Sequence, residues 1–154
     1  MAEDPVVVVR TGPDGGRRLV AARTLRAGEE LARLDRVRLV STPERYSLQV
    51  GASLHAVDLG VWRWLNHACA PSVAVACEPL SVVALRHVHM GEELTLFYPA
   101  TEWVMAEPFT CRCGATACLG LVAGASVLPA EVLGRHRLSP HVAELWHTRQ
   151  ALCG

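Results

Sequence analysis

The sequence predicts a mainly β domain, and three observations carry that expectation. Short apolar or β-branched runs recur along most of the chain, turn signals separate them roughly every 8–12 residues, and sustained helical periodicity is confined to the C-terminal end. Val6 to Val9 is the first such run, closed by the turn-forming TGPDGG at Thr11 to Gly16. Arg18 to Ala22 and Glu30 to Leu34 read as strands around a turn at Ala27-Gly28; Arg36 to Val40 and Arg45 to Val50 follow, separated by STPE. Leu54 to Leu59 is a further short strand, and Val61 to Leu65 a helical turn. Val73 to Cys77 and Leu80 to Val88 form a hairpin around Glu78-Pro79, and Glu93 to Tyr98 is a strand after the turn at Met90-Gly91. A second helical turn is expected over Thr101 to Ala106. Beyond Pro140, Val142, Leu145 and Trp146 recur at helical spacing with His141 on the polar side; Pro140 suits the first turn and Ser139 the N-cap.

The chain has 154 residues, is 51% hydrophobic and 19% charged, and is therefore rich enough in apolar side chains to bury a core as one domain. Fifteen basic residues balance fifteen acidic ones, so no overall field draws it to nucleic acid or an anionic membrane. Every basic residue is arginine; lysine and isoleucine are absent, and Asn66 is the only asparagine. Those three amino acids share AT-rich codons, which fits a GC-rich genome and suggests a bacterium. Against that bias Asn66, Tyr46, Tyr98, Phe97 and Phe109 are survivors, retained for a site or for the core. The start, MAEDPVVVVR, lacks the basic region and long apolar stretch of a signal peptide, and no run approaches a membrane span. A cytoplasmic protein is expected, and in a reducing compartment six cysteines read as metal ligands or buried thiols.

FTCRCGATACLG sets Cys111, Cys113 and Cys118 in a C-x-C-x4-C pattern with Gly114 allowing a sharp turn between them. A structural zinc ion takes four tetrahedral ligands, so three thiolates leave one vertex for Cys69, Cys77, Cys153 or a histidine. Spacing does not choose among these. The C-x-x-C spacing of dithiol exchange is missing, which favours metal over redox chemistry.

Four segments in order resemble one family. WRWLNHACAPS, Trp62 to Ser72, resembles the R-F-x-N-H-S-C-x-P-N signature of SET-domain methyltransferases through Arg63, Trp64, Asn66, His67, Cys69 and Pro71. GEELTLFY, Gly91 to Tyr98, resembles the family's G-E-E-L-T-x-D-Y strand, and CRCGATACLG its post-SET motif. GRRLVAARTLRAGEEL from Gly16 resembles the N-terminal G-x-G-L-x-A…I-x-x-G-E segment. The likeness covers roughly Gly15 to Ala125, as in a small stand-alone SET plus post-SET protein, with Arg45 to Leu59 as the short insert. It implies a SET domain over 5–108, a post-SET zinc segment over 109–125 and a helical extension over 126–154. The implied fold is the β-clip of short strands with a pseudo-knot, few short helices and a C-terminal helix.

The resemblance also implies chemistry. A methyl group passes from the sulfonium of S-adenosylmethionine to an amine by in-line displacement, so the protein must bind the cofactor, align a neutral amine and exclude water. Tyr98 becomes the catalytic residue, with Tyr46 closing the site. Asn66, His67, Arg63, Trp64, Gly16, Arg17 and Leu121 are implied cofactor contacts, the asparagine amide offering both donors and an acceptor. Cys69 is implied as the fourth ligand of one structural Zn2+ with Cys111, Cys113 and Cys118, which would couple metal binding to pocket formation.

Three positions depart from the family pattern: Arg18 replaces the second glycine of G-x-G, Phe97 the acid before the tyrosine, and Ser72 the last asparagine of C-x-P-N. They leave the cofactor residues intact and bear on substrate choice. Protein-lysine methylation is the leading expectation. A SET-fold enzyme for a small amine or amino acid, a silent zinc-clipped binding module, and an unrelated structural zinc protein are the alternatives.

Overall fold

The computed structural model describes residues 5–154; Met1 to Asp4, the acidic part of the start, lie outside them. The mainly β expectation holds, with twelve short strands in four small sheets. Strands β1 (Val7–Thr11) and β2 (Arg17–Ala21) pair antiparallel through the TGPDGG turn, where the Asp14 carboxylate accepts the Gly16 N–H at 3.1 Å. β3 (Glu30–Arg33) lies at the edge of a five-stranded sheet that continues through β9 (Leu80–Ala84), β8 (Val73–Cys77), β10 (Thr95–Leu96) and β7 (Asn66–His67). A three-stranded sheet has β6 (Leu54–Val57) between β4 (Arg38–Val40) and β5 (Leu48–Gly51), and β11 (Phe109–Thr110) pairs with β12 (Leu121–Val122).

The centre of the fold is the passage of β10 between β7 and β8. Thr95 and Leu96 pair parallel with Asn66 and His67 on one side, and Leu96 with Val73 on the other. The chain just before it bridges to β2, with the Leu94 N–H donating to the Leu19 carbonyl at 2.8 Å. Leu19, Leu25, Val73, Val82, Val88 and Leu94 form the fully buried middle of the main core. A second cluster gathers Cys69, Cys111 and Val122, and a third packs Ala125, Leu133 and Val142 beneath Trp103 and Trp146.

Several element boundaries differ from expectation for local reasons. The strand expected to run to Tyr98 ends at Leu96; Pro99 has no N–H to extend a ladder, and Tyr98–Ala100 turns as a 3-10 helix instead. Thr101 to Ala106 is not helical. After the Thr101 and Glu102 N–H groups close a turn on the Tyr98 carbonyl, the next donors are claimed from afar, Trp103 N by the Gln49 side chain (2.8 Å) and Met105 N by the Ala123 carbonyl (3.0 Å). A short helix α1 (Ala130–Leu133), which the sequence reading omitted, precedes the expected C-terminal helix α2 (Pro140–Cys153).

His141 is a correction: it is buried, and its Nε2 lies 2.7 Å from the Thr101 carbonyl, which can only accept, so the ring donates there. Ser139 occupies the N-cap, but its hydroxyl meets the His141 ring at 3.2 Å and makes no capping bond. The first turn of α2 is thus pinned to the segment after Tyr98 rather than capped in isolation.

Gly124 marks where the chain passes from β12 to the C-terminal extension. Its φ is +110°, and a Cβ there would sit 2.5 Å from the Trp103 carbonyl oxygen. Backbone cannot yield as a side-chain tip can, so Gly124→Ala should lower stability by about 2–4 kcal/mol. A denaturant midpoint unchanged from wild type would contradict this.

Candidate active site and metal centre

One cleft of about 910 Å3 runs between the β1–β2 turn, the insert, β7 and the segment around Tyr98. The signature stretch reaches it from a 3-10 turn, Gly60–Trp64, which ends where Leu65 turns extended and enters β7. Trp64 forms much of one wall. The Arg17 and Arg63 guanidinium carbons lie 4.8 and 4.9 Å from its ring centroid, and Tyr46 meets it edge-on at 5.2 Å. Gly16 joins the same wall. Tyr46, Gly16, Arg17, Arg63, Trp64, Asn66, His67 and Tyr98 therefore meet in one place. Leu121 does not; it stands 59% exposed on β12, away from the cleft lining.

The Asn66 amide donates to the Arg17 carbonyl at 2.9 Å and to the Glu93 carboxylate at 3.0 Å. Both of its donors are thereby committed, and the amide oxygen is left as the group a ligand can address. Glu93 also lies 3.7 Å from Arg18, whose guanidinium bonds Asp14 at 3.0 Å. The arginine that replaces a family glycine thus ties the β1–β2 turn to the acid that holds Asn66. Among the described residues Arg18 Nε is buried without a partner. Asn66→Ala should weaken binding of S-adenosylhomocysteine by about 10–100-fold, read by calorimetry, with unchanged affinity counting against the contact.

His67 has a fixed tautomer. Its Nδ1 accepts the Tyr98 backbone N–H at 3.1 Å, so Nε2 carries the hydrogen and faces Cys69 Sγ at 3.3 Å. Burial, with His136 nearby, pushes the ring down to about 4, so it is neutral at pH 7. The Tyr98 hydroxyl donates to the Leu65 carbonyl at 2.7 Å. Burial, then the charges of Glu102 and Glu93, push that phenol up to about 12, and it keeps its proton.

The other two departures have structural accounts. Phe97 is fully buried and faces away from the cleft, its ring stacked on His136 of the C-terminal extension at 3.5 Å and 3°. Ser72 is fully buried, and its hydroxyl accepts the Thr95 N–H at 2.9 Å, stapling β10 beside β8.

The thiols of Cys69, Cys111, Cys113 and Cys118 all lie within 4.8 Å of one another, and Cys69 and Cys111 are 3.9 Å apart. Tetrahedral zinc with bonds of roughly 2.3 Å sets its sulfurs roughly 3.8 Å apart, so the set fits one ion. The Leu119 N–H donates to Cys69 Sγ at 3.3 Å and the His67 ring faces the same sulfur at 3.3 Å, N–H groups that would stabilise a metal-bound thiolate. Burial pushes the Cys69 thiol up to about 12 against the opposing Leu119 N–H, so a metal must displace a firmly held proton. Cys77, in β8, and Cys153, at the end of α2, stand outside the set.

Sequence reasoning missed Glu102 and Gln49. Glu102 lines the cleft four residues after Tyr98, and its Oε1 accepts the buried Gln49 N–H at 2.9 Å. Burial raises this acid from 4.5 to about 7. The folded chain then holds a proton over roughly pH 4.5–7 that the unfolded chain has lost, so this group's contribution to stability falls as pH rises through that window. Glu102→Gln should gain thermal stability relative to wild type across the same window, read by melting at each pH; a constant difference would refute the shift. The only signal in the sequence was an acid close behind the tyrosine.

The SET-domain family model matches residues 16–99, more than half of this chain, and the chain belongs to the SET-domain family. It is 41% identical over 106 residues to methyltransferase flvH of Aspergillus flavus, covering 68% of this chain and 60% of that protein. It is 34% identical over 84 residues to the H3 lysine-36 specific histone-lysine N-methyltransferase of Yarrowia lipolytica, 50% of this chain and 11% of that one. The chain spans less than two thirds of either relative. In fold it is similar to Kryptonite, solved with mCHH DNA, an H3(1-15) peptide and SAH, at a TM-score of 0.59 and 21% identity, over 75% of this chain and 29% of that one. No described helix is long and apolar enough to cross a membrane.

Proposed function

We propose that the chain is an S-adenosylmethionine-dependent N-methyltransferase whose substrate is a lysine side-chain amine of a protein or peptide. One observation carries the proposal: a single cleft holds the Asn66–His67 strand, the Trp64 wall and the Tyr98 hydroxyl together. The relatives, a methyltransferase and a histone-lysine N-methyltransferase, and the peptide-bound fold neighbour support an amine substrate carried on protein.

S-adenosylmethionine, when bound, supplies an electrophilic methyl group. The Asn66 oxygen and backbone groups at His67 bind and orient it, while Arg17, Arg63 and Trp64 enclose it. Tyr98 gives its hydrogen to the Leu65 carbonyl, so its lone pairs face the incoming amine and hold that nitrogen in line. A phenol that keeps its proton up to about pH 12 is an orienting acceptor, not a base. Cys69, Cys111, Cys113 and Cys118 would hold one Zn2+, which would tie residues 109–125, a post-SET segment, to a SET domain over 5–108, with 126–154 as its helical extension. A cytoplasmic location fits a thiolate site that needs a reducing compartment.

The zinc-loaded protein mixed with S-adenosylmethionine and lysine-bearing peptides should release S-adenosylhomocysteine and yield methylated peptide by mass spectrometry. The chain contains no lysine, so methyl-lysine in the product must belong to a partner. Label found only in small amines would favour the metabolite reading, and absence of S-adenosylmethionine binding would leave a binding module.

A further inference from the structure

We infer that Glu102 is the carboxylate that receives the substrate's ammonium group and takes its proton, so that the cleft selects a cationic amine. The inference rests on the methyltransferase reading and names a group that reading does not use.

Glu102 is built into its position. Its N–H bonds the Tyr98 carbonyl at 2.9 Å, and Oε1 accepts from Gln49 N at 2.9 Å and the Thr101 hydroxyl at 3.5 Å. The Gln49 side chain returns the contact, accepting the Trp103 N–H at 2.8 Å and donating to the Gly51 carbonyl at 3.0 Å. This reciprocal clamp fixes one oxygen of the carboxylate. Among the described residues nothing donates to the other, and no arginine or histidine lies within ion-pair reach of Glu102. A half-buried carboxylate without a cation is costly, and the cost is removed when a ligand brings the cation.

The chemistry gives such a group a use. An alkylammonium has no lone pair to attack with, and Tyr98, held as a phenol, is no acceptor for its proton. Glu102, raised to about 7 by burial before a cation binds, meets the ammonium as a carboxylate above that pH. The N–H bond breaks, its electrons stay on nitrogen as the attacking pair, and the proton forms an O–H bond on Glu102, to be lost to water after product leaves. Tyr98, Tyr46, His67, Glu93, Glu44 and Glu107 line the same cleft; His55 on β6 sits opposite Gln49, and His141 lies on the far side of the Thr101 carbonyl, while β5 itself contributes none.

The test uses the zinc-loaded full chain, with n-butylammonium as the probe and S-adenosylhomocysteine titrated separately. Near pH 8 the wild type should bind the probe, more weakly near pH 5.5, where Glu102 is protonated. Glu102→Gln, which keeps an acceptor for Gln49 N–H, should bind it at least about tenfold more weakly and without that pH dependence, while binding S-adenosylhomocysteine as wild type does. In wild type alone, NMR of carboxyl-labelled glutamate should show the Glu102 titration move down when the probe is bound. An equal probe affinity in the variant, a wild type that does not bind the probe, or an unmoved titration would overturn the assignment. Failure of the wild type to bind S-adenosylhomocysteine, with probe binding intact, would instead remove the methyltransferase reading.

Discussion

Cys69→Ser is expected to lose the metal and to weaken cofactor binding in the same variant. Serine offers a poor zinc ligand, and removal of one of four thiolates should lower metal affinity by more than about 100-fold. The second effect follows from what else that sulfur touches. Cys69 Sγ faces the His67 ring at 3.3 Å and accepts the Leu119 N–H, while the other ring nitrogen of His67 holds the Tyr98 backbone. Without the thiolate the ring loses one of its two restraints, and S-adenosylhomocysteine affinity should fall about tenfold. Zinc content by atomic absorption and calorimetry on the same preparation read both. Cys77→Ser, outside the cluster, should change neither. A zinc-free Cys69→Ser protein with wild-type cofactor affinity would disprove the coupling.

Tyr98→Phe is expected to lower kcat by about 100–1,000-fold, the cost of removing one pre-aimed polar contact from a reacting centre. The substitution deletes the hydroxyl that bonds the Leu65 carbonyl while keeping the ring between His67 and Phe109. Cofactor affinity should therefore stay within about twofold of wild type. A Tyr98→Phe enzyme as active as wild type would remove Tyr98 from the chemistry.

The fold class was legible in the sequence because it rests on local pattern, and the meeting of the motif residues was legible through the family resemblance, Leu121 excepted. Short apolar and β-branched runs between turns announced the strands, and the C-x-C-x4-C spacing announced the cluster. Long-range competition for hydrogen bonds was not legible. Thr101 to Ala106 has the composition of a helical turn, yet Gln49 and Ala123 take the Trp103 and Met105 donors from more than fifteen residues away. His141 reads as polar by its neighbours on the helix, and only the buried Thr101 carbonyl explains where it points. Glu102 carried no pattern at all, since its meaning comes from Gln49 across the fold. Phe97 and Arg18 read as losses from a family pattern; each is the partner of a residue, His136 or Glu93, that only the folded chain brings near.

The course of β10 between β7 and β8 bears on how the protein is made. Asn66, His67 and Val73 leave the ribosome well before Thr95 and Leu96, the strand that must lie between them. A nascent chain stopped short of Leu96 has the two flanks but nothing to hold them apart in register, and its apolar β8–β9 hairpin faces solvent on one edge. Assembly of the cleft is thus postponed until Leu96 has been made, and the thiols at 111–118 follow it. Chains truncated before Leu96 keep an unpaired β8 edge, the kind of edge through which partly made sheets associate.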